Sequence, residues 1–142
     1  MERERLKQIL TDYRRLVRRE QRLKEIAADT LARATNTAAA PFDAIKVEVG
    51  RTSDKVGGYT AAAASLEANW RKSYDAMCAA LEKLLAVIDL LDNEYQQEAL
   101  TYRYVCGMTW EDIAEKMDYT PTWVYNLHKK ACVELLTKEE PV

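Results

Sequence analysis

The side chains best suited to a chemical task fall in one short run, Thr120 to Lys130. Asn126 carries an amide that can pair bidentately with an adenine edge. Lys129 and Lys130 carry charges that neutralise phosphates. Thr122 can meet a thymine methyl or a phosphate, and Tyr125 and His128 border the same face. Thr109 and Thr120 are candidate contacts at helix starts. Trp123 has two readings, stacking on a sugar or packing as core. This is chemistry of recognition rather than of bond making. The chain has one histidine and no phosphate-cradling glycine loop, and its carboxylates are scattered. No catalytic residue is assigned, no cofactor is implied, and the chain is not read as an enzyme. His128 and Cys132 are four apart, but a zinc site needs a fuller ligand set, so no metal is assigned.

The elements that must position this face are three short helices and two tight turns. The first helix is expected from Asp92 to Val105, with Asp92 and Asn93 as N-cap candidates and Gly107 after its end. Thr109 opens the second helix, with Asp112 three residues on and Glu111 and Asp112 at the positive end of its dipole. Ile113, Ala114 and Met117 give its inward side. Asp118 and Tyr119 make the turn. Thr120 caps the third helix, and Pro121 occupies its first turn, where a missing N–H costs nothing. Val124, Leu127, Ala131 and Leu135 form its buried stripe. That layout is a helix-turn-helix, whose last helix docks in the major groove.

The run from Ala99 to Leu136 resembles the region-4 helix-turn-helix of sigma factors. Arg103-Tyr104, Gly107, Thr109 through Ala114, and Val124 through Leu135 carry the likeness. Such recognition helices often carry Arg or Gln near their N-terminal end, where this chain has Thr122 and Trp123. With a helical N-terminal half added, the layout resembles phage and prophage regulators of the RinA and ArpU type. The resemblance implies a sequence-specific, DNA-binding transcriptional regulator, an activator of phage late genes working with RNA polymerase in a bacterial cytoplasm. Double-stranded DNA and RNA polymerase are the partners it implies. The alternative is a phage DNA-packaging protein of the small-terminase kind, or a polymerase-interaction adaptor.

The fold class expected is all-α, a long N-terminal helical hairpin followed by a trihelical helix-turn-helix domain. Residues 1–91 form the hairpin and oligomerisation region, with a loop at about 36–60. Residues 92–137 form the helix-turn-helix, and 138–142 a tail. Leu6, Ile9, Tyr13, Leu16, Leu23, Ala27 and Ala34 keep a heptad seam, interrupted by Glu20 and Thr30. Leu10, Val17 and Leu31 widen it. The second arm is expected from Thr60 to Leu91, through Trp70, Tyr74, Met77, Leu81, Leu84 and Ile88. Cys78 and Leu85 add an apolar edge suited to another subunit, so a homodimer or higher oligomer is expected. Pro41, Gly50, Gly57 and Gly58 are read as helix breakers between the arms, and Ile45, Val47 and Val49 alternate as a short strand would.

The 48% apolar content is ordinary for a soluble globular chain, and the net charge of −2 is no signature of a nucleic-acid binder. Its distribution is uneven. Residues 1–36 hold ten Lys/Arg and six Asp/Glu, and residues 89–142 five Lys/Arg and eleven Asp/Glu. The recognition module is therefore acidic overall, and weak binding by a single copy is expected. Arg14, Arg15, Arg18, Arg19 and Arg22 fall outside the seam as one basic face, either a second contact for DNA or an acidic partner, or a solvated helix face. No transmembrane run or signal peptide is read. Cys78, Cys106 and Cys132 are read as reduced and buried.

Overall fold

The heptad seam of the N-terminal third becomes a single helix, α1 (Arg3–Ala38), and the second apolar run becomes α2 (Val49–Ile88). Three shorter elements follow: α3 (Glu94–Leu100), continued by a π-helical turn (Thr101–Val105), then α4 (Trp110–Met117) and α5 (Pro121–Leu136). The computed structural model describes the backbone of residues 1–38 and 49–142, and the side chains outside 36–60. Among the described residues every regular element is helical.

Helix enters the stretch expected as a loop, 36–60, from both sides. Helix α1 continues to Ala38, and α2 begins at Val49 and runs through Gly50, Gly57 and Gly58. Glycine in a helix interior costs only about 1 kcal/mol relative to alanine. A 40-residue helix held by its packed stripe tolerates that. Val49 is thus helical rather than part of a strand, and Pro41, Ile45 and Val47 lie outside the described residues.

The chain divides into two compact units. The first, here called the body, comprises Met1–Val17 and Ala76–Val142. Its core joins both ends of the sequence. Leu6, Ile9 and Leu10 of α1 meet Leu84, Val87 and Ile88 of α2, together with Leu91, Leu100, Ala131 and Leu135. A second cluster holds the helix-turn-helix itself: Ala99, Ile113, Ala114 and Val124. The tail residue Glu140 closes the body. Its carboxylate accepts from the Arg5 guanidinium and the Lys83 ammonium, each at 2.8 Å. These cations hold the Glu140 carboxyl well below the usual range, at about 2.

The second unit, the arm, comprises Arg18–Asp75. The polar interruption at Glu20 has a partner here. The Trp70 indole N–H donates to its carboxylate at 2.7 Å, which ties the two helices at one register. Trp70 also stacks on Tyr74, with ring centroids 5.7 Å apart. Ser73 is buried, and Ile26 and Leu31 stand exposed.

Candidate nucleic-acid interface

Local chemistry sets the start of α5. Asp118 takes the left-handed conformation at the end of α4 (φ 62°, ψ 43°), and the Tyr119 N–H reaches back to the Ala114 carbonyl at 2.9 Å. The chain then straightens at Thr120 (φ −83°, ψ 151°), whose hydroxyl accepts from the Trp123 N–H at 3.2 Å. Pro121 begins the helix. Thr109 does the same for α4, accepting from the Asp112 N–H at 3.2 Å. Each cap satisfies one orphan donor and contributes about 1 kcal/mol. Each hydroxyl still holds a hydrogen it can donate outward, so a capping role leaves Thr109 and Thr120 able to meet a phosphate.

Burial fixes the rotation of α5. Val124, Ala131 and Leu135 are fully buried. Ala114, 3% exposed, has the small side chain that lets α4 and α5 cross closely. The opposite face of α5 presents Thr122, Tyr125, Asn126, Lys129 and Lys130 to solvent. The Lys129 ammonium sits 4.8 Å from the Tyr125 ring centroid, a cation–π contact that steadies both side chains. This face thus carries an amide, two hydroxyls and two ammonium groups on one helix. Glu111, Asp112, Glu115 and Asp118 are exposed on and beside α4, and they make the neighbouring surface acidic.

Two aromatic groups set the borders. Trp123 is half-buried and packs on the Ile113, Ala114 and Val124 cluster. Its ring stacks on Tyr119 at 3.8 Å, with Tyr95 edge-on at 6.3 Å. One side of the indole is therefore committed to packing. Trp110 has Tyr125 edge-on at 5.4 Å and the Arg103 guanidinium above it at 4.4 Å.

His128, expected at the contact face, is turned inward instead. The Tyr104 hydroxyl lies 2.6 Å from its Nε2, and the Cys132 Sγ 3.5 Å from the same atom. Trp110 covers the ring at 4.8 Å. Burial, and then the Arg103 guanidinium, push the imidazole down to about 4. Burial likewise pushes the Tyr104 phenol up to about 12, with a further push from Cys132. Tyr104 is thus the donor to a neutral imidazole. The proton then sits on Nδ1, which is buried with no hydrogen-bond partner among the described residues. His128 braces α5 against the π-helical turn.

That turn was not legible as such; a plain helix from Asp92 to Val105 was expected. The α-helix starts at Glu94 behind an Asn93 cap, and widens at Thr101. The Cys106 N–H closes on the Thr101 carbonyl at 3.1 Å, five residues back. The wider turn sends Tyr104 to His128 and lets Arg103 donate to the Met108 carbonyl at 3.0 Å. Single π turns of this kind recur at functional positions. Gly107 follows with φ +69°, the left-handed end expected there.

The arginines of α1 separate into distinct settings. Arg18, Arg19 and Arg22 are exposed. Arg15 pairs with Asp12 at 3.1 Å. Arg14 lies flat on Gly107: a Cβ there would sit 2.6 Å from its guanidinium carbon. The cysteines also differ from expectation. Cys78 and Cys132 are half-buried, but Cys106 is exposed, because it ends the π turn at the surface. Among the described residues no group of His, Cys, Asp and Glu side chains is arranged to hold a metal ion, and no helix is long and apolar enough to cross a membrane.

No curated protein and no solved structure matches the chain. Residues 81–135 match the family described as Sigma-70, region 4. The match begins inside α2, takes in its last turns and all of α3 and α4, and ends one residue short of the end of α5. The segment that holds the helix-turn-helix, with Thr109, Thr120 and the α5 face, is thus similar to sigma-70 region 4.

Proposed function

We propose that this protein is a sequence-specific transcriptional regulator that reads the major groove with α5 and acts beside RNA polymerase. The observation that carries the reading is the pairing of a region 4 match with an α5 face on which Thr122, Asn126, Lys129 and Lys130 all stand free of the core. Asn126 is the base reader, because its amide offers the bidentate pattern that selects adenine. Lys129 and Lys130 meet phosphates, and the Thr109 and Thr120 hydroxyls donate to the backbone at the two helix starts. Phosphate contacts of this kind set position, while the base contact sets sequence.

The acidic surface around α4 keeps the affinity of one copy low, and a second subunit or polymerase supplies the rest. Ile26 and Leu31 of the arm, 53% and 64% exposed, support self-association through the hairpin. A two-fold dimer would set its recognition helices one duplex turn, or a multiple, apart. The proposed setting is the activation of phage or prophage late genes in a bacterial host, as in regulators of the RinA and ArpU type, and it rests on the length and layout of the chain.

Selection of bound duplexes from a random pool, at low and at physiological salt, tests the reading. An enriched motif, with repeated half-sites for a dimer, is the expected result. Binding without enrichment would replace it with a packaging or architectural role, and no binding with a protein-interaction role. On the selected site, Asn126→Ala should weaken binding by about 1–3 kcal/mol. Unchanged affinity would remove Asn126 from the reading set.

A further inference from the structure

The body holds one cation whose setting the helix-turn-helix alone does not explain. Arg14 belongs to α1, far outside residues 81–135. Its guanidinium nonetheless lies against Gly107, at the turn between the π-helical segment and α4. Three of its atoms come within 2.6–2.7 Å of where a Gly107 Cβ would stand. Only glycine leaves room for that approach. A guanidinium serving as a strut would spend its N–H donors on the carbonyl oxygens around it. Arg103 does so at the same turn, donating to Met108. Among the described residues, Arg14 makes no hydrogen bond and no ion pair. It is half-covered, with no carboxylate within the ion-pair distance among the described residues and its donor fork unspent.

We infer that Arg14 binds a phosphate of the DNA backbone, so that α1 extends the duplex contact beyond the helix-turn-helix. The inference rests on the DNA-binding reading above and adds to it a contact from the N-terminal helix. In a helix-turn-helix the first helix crosses the backbone while the second enters the groove. Gly107 lies two residues before the Thr109 cap of that first helix, so the Arg14 guanidinium stands beside the segment that meets the backbone. A planar guanidinium with free donors matches a phosphate in shape and in charge. Glu111 and Asp112, exposed in the first turn of α4, oppose an anion there. Within the ion-pair distance of 4 Å, however, neither neutralises Arg14.

The test uses the full-length protein, its selected duplex, and the variants Arg14→Gln and Arg14→Lys. Thermal melting establishes that both variants fold. For Arg14→Gln the slope of log K against log salt should shrink by about 0.9, the value of one phosphate contact, on specific and non-specific duplexes alike. Ethylation of a single phosphate, which hinders binding by the wild-type protein, should cease to matter. Arg14→Lys keeps the charge and should keep the slope. A slope equal to wild type in Arg14→Gln, even with a lowered melting temperature, would overturn the α1 contact and leave Arg14 as packing on the turn. A wild-type protein that bound no duplex would overturn both this contact and the reading beneath it.

Discussion

Helix α1 runs the same apolar seam through two different surroundings. In the body, Leu6 and Ile9 are each 3% exposed. In the arm, Leu23 and Ala27 continue the seam at the same spacing and are only half-buried. Pattern does not account for the difference. In the body, α1 packs on α2 and also on a layer formed by Leu100, Ala131 and Leu135. In the arm, two helices face each other, and a residue on a two-helix seam always keeps one flank in water. Periodicity therefore names the inward face, while the number of neighbours decides how deeply it is buried.

Core truncation should expose this contrast most strongly. Leu100→Ala empties a fully enclosed site and should cost about 2–5 kcal/mol. Leu23→Ala should cost about 1 kcal/mol, since less of the side chain leaves water on folding. Urea denaturation of each variant measures both. Equal losses would break the comparison. If the Leu23→Ala loss also grew with protein concentration, the arm's seam would be covered by a second subunit, as the proposed oligomer requires.

Acid should separate the regions next. His128 belongs to the body and titrates at about 4 when folded, against 6.5 for an ordinary histidine. The unfolded chain takes up its proton first as pH falls. The contribution of this histidine is complete above pH 6.5 and is lost progressively between 6.5 and 4. The shift corresponds to about 3.4 kcal/mol at about 1.36 per pH unit, and partial solvent screening of the ring lowers the full loss to on the order of 2–3 kcal/mol. The Glu140 ion pairs follow in a lower window, present above 4.5 and lost as pH falls toward 2. A stability profile of the wild type should therefore fall between pH 6.5 and 4, and that fall should flatten in His128→Gln. A slope that survives the substitution would mean that the Tyr104–His128 brace is not what acid attacks.

The legible parts of the site were those written in neighbouring residues. The Thr109 and Thr120 caps, Pro121 at a helix start, the left-handed Gly107 and the stripe of Val124, Leu127, Ala131 and Leu135, of which Leu127 is only half-buried, all follow from backbone chemistry within a turn or two. The exposed set of Thr122, Asn126, Lys129 and Lys130 follows from the stripe by rotation. His128 was harder, because its position on the border of the stripe is equally compatible with either side. Its partner Tyr104 lies 24 residues away, presented by a π turn that no local signal announced. Arg14 did carry a signal. It falls outside the seam with the other arginines, yet it follows Leu10 by four and precedes Val17 by three, beside the residues that widen the seam. An arginine at that border meets what packs beside it, and here that is Gly107.

The smallest expected effect lies at Asp118, which with Gly107 has positive φ among the described residues, both in the body. Gly107→Ala places a Cβ in a left-handed conformation, which costs about 1–2 kcal/mol, and pushes it into the Arg14 guanidinium. Asp118→Gly runs the other way. It removes a Cβ from a left-handed position, while making the unfolded chain more flexible. Its lost charge acts on the end of α4 and the start of α5 with opposite sign, so the backbone terms decide. A net gain below about 1 kcal/mol is expected in urea denaturation. A loss on Asp118→Gly would mean that the carboxylate holds the turn through an interaction stronger than its strained backbone. The helix-turn-helix would then depend on a side chain at a position where φ favours having none.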